Sequence, residues 1–259
     1  MRLKCAGLTD VGMARDHNED DFYLCPDEAL CVVADGMGGH QSGEVASQMA
    51  IEEITRFYAD TRNSEKPIEL SYWPFRKKKP SSREERRLIA SMTQANQAIH
   101  TAASGNEQYR GMGTTIVAAF FFDDGVYVAH IGDSRAYRLR DGVLKQVSED
   151  HSLANEYIRM GILRAEDVEN FPYKNVITRA VGLADSVEVE TNLYDIKDQD
   201  IYLLCSDGLS DPLRDAEIQR ILLEHADDLE TACRELITAA NRNGGPDNVT
   251  VVLAKAIAE

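Results

Sequence analysis

Two carboxylates stand at equivalent places in two apolar segments. Ala29-Leu30-Cys31-Val32-Val33-Ala34 runs into Asp35-Gly36, and Ile201-Tyr202-Leu203-Leu204-Cys205-Ser206 runs into Asp207-Gly208. Each reads as a strand that delivers an Asp at its end, with Gly where the backbone must turn or approach something closely. Asp133, after the apolar stretch Val126–Ile131, and Asp247, in Gly244-Gly245-Pro246-Asp247-Asn248 ahead of the final strand, are placed alike, and Glu19-Asp20 precede the second strand. A single Asp-Gly is more often a hairpin turn, and Asp124-Gly125 and Asp141-Gly142 read that way. Asp35 and Asp207 differ because glycine-rich or helical sequence follows them, not a returning strand. Gathered at one sheet edge, these acids suit hard cations. Mg²⁺ and Mn²⁺ favour octahedral oxygen ligands and keep several waters. Two such ions can share a water, lower its pKa and aim it at phosphorus.

Magnitude favours cations over proton shuttles for that chemistry. Hydrolysis of a phosphate monoester calls for acceleration up to about 10²¹-fold, whereas a general acid or base supplies about 10²–10⁴. Other phosphate chemistries fail on inspection. Gly7-Leu8-Thr9-Asp10-Val11-Gly12 continues with Met13-Ala14 where a P-loop needs Lys-Ser/Thr, and Gly36-Met37-Gly38-Gly39-His40-Gln41 lacks the last glycine of a dinucleotide fingerprint. No cysteine has an Arg six residues downstream, as a cysteine phosphatase requires. Asp16-x-Asn18-x-Asp20 opens like a calcium loop, but Asp21 replaces the turn glycine and Asp27 the closing Glu. The histidines and cysteines show no zinc spacing.

The elements that position these acids follow from periodicity. Leu3–Thr9, Phe22–Leu24 and Ala29–Ala34 read as strands. Helical spacing covers Ser42–Asp60, and a second helix runs from Ser82 to about Ala103, opening on a Ser82-Arg83-Glu84-Glu85 capping box. Strands over Thr114–Phe122, Val126–Ile131, Arg135–Arg140 and Val143–Val147 follow in meander fashion. Asp150–Asp185 is less regular, with short helices and loop. Strands near Val187–Tyr194 and Ile201–Cys205, helices near Asp215–Glu224 and Leu229–Asn241, and a strand Asn248–Ala256 complete the order. Few strand–helix–strand units alternate. The expectation is one α+β domain over residues 1–259, with two stacked, largely antiparallel sheets each covered by a helix pair.

Composition sets the class. With 44 acidic against 28 basic side chains among 259 residues, the net charge of −16 disfavours nucleic acid as a partner. Hydrophobic content of 43% is that of a globular chain, and no apolar run has the length of a membrane span. The N-terminus lacks a signal-peptide apolar region. Five cysteines, none in C-x-x-C, argue for a reducing cytoplasm. Pro74–Arg87 stands apart: seven basic residues (Arg76, Lys77, Lys78, Lys79, Arg83, Arg86, Arg87) against Glu84 and Glu85 give a local +5. It reads as a solvated loop entering a helix, with a docking site for an acidic partner as the alternative.

Five motifs in order, Arg15-x-x-Asn18-Glu19-Asp20, Asp35-Gly36-Met37-Gly38-Gly39-His40, Gly132-Asp133-Ser134-Arg135, Ser206-Asp207-Gly208-Leu209 and Gly244-Gly245-Pro246-Asp247-Asn248, resemble the bacterial metal-dependent serine/threonine protein phosphatases of the 2C type. The resemblance implies a four-layer αββα sandwich, agreeing with the element order. It implies that Asp35 bridges two Mn²⁺ or Mg²⁺ ions with the Gly36 carbonyl on one of them, and that Asp207 and Asp247 hold the second. Glu19 and Asp20 would act through metal-bound waters, and Asp133 would serve a third, weaker site. Arg15 would clamp the substrate phosphate, its fork matching paired oxygens; without the neighbouring motif it reads as a surface ion pair. His40 would be general acid to the leaving alkoxide, or would only hydrogen-bond backbone within its glycine loop. Residues 148–182 resemble the family's flap, and about 62–82 form a loop insertion. The activity implied is hydrolysis of phosphoserine and phosphothreonine by direct attack of a metal-bridging hydroxide, in a cytoplasmic monomer opposing a Ser/Thr kinase. The alternatives are a phosphoprotein-binding regulatory module with a weak site and, less suited to an acidic surface, a two-metal phosphodiesterase.

Overall fold

The computed structural model describes residues 1–39, 42–64, 66–68, 70, 80, 82–123 and 125–258. Its strands are β1 (Arg2–Asp10), β2 (Asp20–Cys25), β3 (Leu30–Met37), β4 (Gly113–Thr114), β5 (Ile116–Phe122), β6 (Gly125–Ile131), β7 (Arg135–Arg140), β8 (Val143–Gln146), β9 (Glu190–Tyr194), β10 (Ile201–Cys205) and β11 (Val249–Ile257). The α-helices are α1 (Ser42–Thr61), α2 (Arg83–Gly105), α3 (Leu153–Arg159), α4 (Asp207–Ser210), α5 (Asp215–Glu224) and α6 (Leu229–Arg242). One sheet has the order β1-β11-β10-β7-β8 and the other β2-β3-β5-β6-β9, with β4 beside β3. Among the described residues every strand pairing is antiparallel.

Three apolar layers hold these sheets and helices together. Leu30, Val32 and Ala34 of β3 face α1 and α2, meeting Ala46, Ala50, Ile54 and Tyr58 at helical spacing and Leu88, Met92 and Ile99 of α2. Cys31 and Val33, on the opposite face of the same strand, pack with Val117, Val128, Leu204 and Val252 between the two sheets. The second sheet turns Leu203, Cys205, Val251 and Leu253 towards α5 and α6. The expected αββα sandwich is therefore present, and a strand buried on both faces explains why Leu30–Ala34 is apolar without alternation. No helix among the described residues is long and apolar enough to cross a membrane.

Local signals operate as their chemistry requires. Ser82 Oγ accepts from Glu85 N at 3.0 Å at the start of α2, while the buried Glu85 carboxylate accepts from Thr191 Oγ1 of β9 at 2.8 Å. Asp141 and Gly142, both at positive φ (51° and 79°), turn β7 into β8. Within the basic stretch, Arg87 lies over the Tyr58 ring at 4.0 Å and donates to Thr61 Oγ1 at 2.8 Å, and Arg83 donates to Ser64 O. These two cations fasten α2 to the end of α1. Arg76 and Lys77 to Lys79 lie outside the described residues.

The sequence reading needs two corrections. Asp35 does not end its strand: β3 continues to Met37 because Gly36 and Met37 pair with Thr114 and Gly113 of β4. The four central strands are not one meander. The β5–β6 hairpin lies in one sheet and β7–β8 in the other, so residues 132–134 carry the chain across. A turn signal specifies a hairpin but not the sheet it joins.

Gly208, at the start of α4, tests how closely the layers meet. A Cβ there would lie 1.9 Å from the Asn248 carbonyl oxygen, so the backbone must shift. Gly208→Ala should lower stability by about 1–3 kcal/mol or more. Gly105→Ala, at the end of α2 with open space around it, should be neutral or slightly stabilising. Thermal melting of both variants checks the contrast.

Candidate active site

The layer between the sheets ends in polar side chains at one edge. Along its inward-facing register, Phe22 gives way to Asp20 on β2, Val33 to Asp35 on β3, and Val252 to Thr250 on β11. Likewise Leu204 gives way to Ser206 beyond β10, Val117 to Thr115 before β5, and Ala136 to Ser134 before β7. Asp20 and Asp35 are register partners across β2 and β3. Side chains two residues apart share a face, so the alternation that builds the core also brings these groups together.

Hydroxyls and backbone amides then hold the acids. Asp20 Oδ2 accepts from Thr250 Oγ1 at 2.7 Å and from Ser206 Oγ at 2.8 Å, while Ser206 Oγ accepts from Thr250 N at 2.9 Å. The Asp35 carbonyl accepts from Thr115 N at 2.8 Å and Thr114 Oγ1 at 2.9 Å. Asn248, 4% exposed, organises the loop before β2. Its Nδ2 donates to Val11 O at 2.9 Å and His17 O at 3.0 Å, and its Oδ1 accepts from Glu19 N at 2.7 Å. Gly36 N donates to Glu19 O at 3.1 Å, closing this loop onto β3.

The glycine after Asp35 in β3 and the one after Asp207, the first residue of α4, serve close approach, not a turn. A Cβ on Gly36 would sit 2.1 Å from Gly43 O and 2.5 Å from Glu19 O, matching the clash at Gly208. Neither residue has positive φ.

Arg15 is half-exposed, with 49% of its side chain accessible, and its Nη2 contacts Asp247 Oδ2 at 2.6 Å. The guanidinium thus stands at the mouth beside one of the candidate ligands. Asp133 lines a cavity of about 160 Å³ shared with Asp207, Ser210 and Asp211, and its Oδ1 is buried without a hydrogen-bond partner. Asn175, in the irregular stretch after α3, reaches across to donate to Asp211 Oδ2 at 3.0 Å. The structure therefore gathers Glu19, Asp20, Asp35, Gly36, Asp133, Asp207, Asp247 and Arg15 at one edge. His40 lies outside the described residues.

Burial and mutual repulsion push the acids towards protonation. Asp20 is raised to about 6, chiefly by burial against the two hydroxyl donors, and Asp133 to about 6 by burial and the charge of Asp150. Asp35 is raised well above the usual carboxylate range by burial and the charges of Asp20, Asp207, Asp133 and Asp247. Asp207 is raised likewise by burial, Asp133 and Asp211. Carboxylates with oxygen-only donors, a buried unpartnered oxygen and excess negative charge fit a hard divalent cation.

Sequence reasoning missed the hydroxyl supports. Thr250 carried a signal only as a polar residue interrupting an apolar run, and Ser206 stood in the Asp207 motif with no role assigned to it. Asp211 and the bidentate Arg135–Asp150 pair, with Arg135 Nη2 2.7 Å from Asp150 Oδ2, had no local signature.

With divalent cations chelated, the folded protein binds protons that the unfolded chain releases, since Asp20 and Asp133 titrate near 6 when folded and near about 3.9 when unfolded. More protons in the native state means that stability falls as pH rises. The melting temperature in chelator should thus drop as pH rises from about 4 through 6, and Mn²⁺ should restore more stability at pH 7 than at pH 5. Melting scans in EDTA and in Mn²⁺ across this window test it; a flat profile in EDTA would count against the clustered charge.

Comparison with known proteins agrees with this geometry. The protein phosphatase 2C family model matches residues 14–253. The serine/threonine phosphatase stp of Listeria innocua is 37% identical over 250 residues, covering 95% of this chain and 93% of that protein. The crystal structure of the Mycobacterium tuberculosis serine/threonine phosphatase PstP/Ppp superposes with a TM-score of 0.85 at 34% identity, covering 100% of both chains. The PstP catalytic domain solved in complex with 2 manganese ions gives a TM-score of 0.81 at 33% identity over 99% of each chain. The order of the motifs, the two-sheet sandwich and the carboxylates at its edge thus coincide with close likeness over nearly the whole chain: it belongs to the protein phosphatase 2C family, as a serine/threonine phosphatase of the bacterial kind.

Proposed function

We propose that this phosphatase hydrolyses phosphoserine and phosphothreonine in proteins by direct attack of water on phosphorus, without a phosphoenzyme. The observation that carries the proposal is the set of like-charged carboxylates packed at one edge, where Arg15 stands at the mouth, Arg135 is already paired with Asp150, and Lys174 lines the Asp133 cavity. Asp35, the Gly36 carbonyl, Asp207 and Asp247 are assigned to two core Mn²⁺ or Mg²⁺ ions, as supported by the relative carrying two manganese ions. Asp20, whose Oδ2 already takes two hydroxyl donors, and Glu19 are assigned to outer positions, and Asp133 to a third, weaker one. Bound there, divalent cations lower the pKa of water and screen the phosphoryl charge.

The chain's own groups supply the rest. Arg15, released from Asp247 or sharing it, presents paired N–H donors to two phosphate oxygens and fixes the phosphorus for in-line attack. The Ser206, Thr250 and Thr115 hydroxyls hold the acids so that they need not reorganise during reaction. His40, assigned from its motif, protonates the leaving alkoxide. The cell compartment proposed is the cytoplasm, the partner a Ser/Thr kinase or its substrates, and the working state a monomer.

Asp207→Asn should nearly abolish turnover and chelation should do the same to the parent protein, both read with p-nitrophenyl phosphate; activity surviving exhaustive chelation would sink the assignment. Arg15→Ala should raise KM more than Arg15→Lys, which keeps charge but not the fork. His40→Ala should cost about 10²–10⁴ on a phosphothreonine peptide and far less on p-nitrophenyl phosphate, whose leaving group needs no proton. Equal losses on both substrates would reject the general-acid role.

A further inference from the structure

Away from the carboxylates, two histidines and a glutamate are packed together where the flap leaves the sandwich. His130 on β6 and Glu190 on β9 are register partners, and the His130 and His151 rings stack at 4.6 Å with an interplanar angle of 13°. One ligand atom from each of His130, His151 and Glu190 lies within 4.8 Å of the others, an arrangement that resembles a metal site. The proton inventory argues otherwise. His151 Nδ1 is 3.1 Å from Gly132 N, which can only donate, so Nδ1 carries a lone pair and the ring proton sits on Nε2. That Nε2–H points to Glu190 Oε2 at 3.4 Å; the Arg179 guanidinium, 3.1 Å from the same nitrogen, cannot donate to it and gives its Nη1 N–H to Glu188 O at 3.2 Å. A metal-bound imidazole needs its lone pair towards the ion and its proton on the other nitrogen, which the Gly132 amide forbids here. A neighbouring guanidinium adds charge repulsion.

The same bonds describe a clamp. His151, 1% exposed, donates its own N–H to Gly132 O at 3.0 Å while its ring accepts the Gly132 N–H. It thus grips both polar backbone groups of the residue before Asp133, a glycine held at φ 109°. Its carbonyl accepts from Thr178 N at 2.8 Å, Ser152 bridges to Ile177, and Leu153 N donates to Val176 O at 2.8 Å. These pairs form the neck that joins the two ends of the flap. Glu190 then ties the ring to the edge strand β9.

We propose that His151 is a positioning residue that fixes the Asp133 turn and the neck of the flap as one unit, so that the cavity shared by Asp133, Asp207 and Asp211 keeps its shape during turnover. The proposal rests on the assignment of Asp133 to the reaction. The two-point grip on Gly132 is its carrying observation, because it satisfies both the N–H and the carbonyl of that buried residue.

The test compares His151→Phe, which keeps the stacked ring but loses both nitrogens, with His151→Asn, whose Oδ1 takes the place of Nδ1 and accepts the Gly132 N–H. Turnover of p-nitrophenyl phosphate is measured per folded molecule, with Mn²⁺ titrations and melting curves alongside. H151F should lower kcat about tenfold, the scale of one lost buried hydrogen bond, with KM within about twofold, and should raise the Mn²⁺ concentration giving half activation. H151N should recover kcat to within about threefold. A merely structural role would lower the melting temperature of both variants and leave kcat of the folded protein unchanged, which would overturn the proposal, as would an H151N no better than H151F. Asp133→Asn separates the premise from the clamp. An impaired D133N beside an unimpaired H151F overturns the clamp alone, and an unimpaired D133N overturns the premise. One equivalent of Zn²⁺ bound by the parent and lost in His130→Phe would overturn the proton inventory in favour of a metal site.

Discussion

The arrangement of this protein depends on keeping several carboxylates close together at the end of a dry layer. Like charges gathered out of water repel, and each loses hydration as well. Asp20, Asp35, Asp133 and Asp207 show this cost in pKa values raised by burial first and then by the charges of neighbouring carboxylates. The protein tolerates the arrangement because two sheets, each backed by helices, bury enough apolar surface elsewhere to offset it. Strain at the edge and stability in the layers are therefore complementary parts of one design.

Support for the acids comes from neutral donors more than from cations. Ser206 and Thr250 give hydroxyls to Asp20, Thr114 and Thr115 hold the Asp35 backbone, and Asn248 ties together Val11, His17 and Glu19. A lysine in these places would neutralise the acids and take the position of a divalent ion. Hydroxyls and an amide fix direction while leaving net negative charge. Two cations at the edge are arranged to the same end. Arg15 stands at the mouth, and Arg135 is committed to Asp150 in a bidentate pair.

Much of this was legible before the fold was known, and the limits are instructive. The Asp-Gly steps after Leu30–Ala34 and Ile201–Cys205 marked Asp35 and Asp207, because a charged residue following an apolar strand is hard to explain by packing alone. The Ser82 cap and the Asp141-Gly142 turn were readable because each depends on residues within four positions. The crossing between sheets at residues 132–134 was not, since a hairpin closes by local backbone geometry whichever sheet receives it. Nor was the continuation of β3 to Met37, which needs the two residues of β4 some 77 positions away in the register Gly36↔Thr114 and Met37↔Gly113.

The amino-acid sequence alone determined which residues are candidates for chemistry and which layers exist, because residue type, strand and helix period, and turn chemistry are local properties. Tertiary structure decided which face each of these residues takes and what holds it. Leu30–Ala34 is apolar on both faces, so no alternation tells that Asp35 follows Val33 into the layer between the sheets. Only the pairing of β2, β3, β10 and β11 sets Asp20 against Thr250 and Ser206, residues separated from it by 230 and 186 positions. Such contacts follow from the register of strands in three dimensions, and a one-residue slip would reverse every one of them.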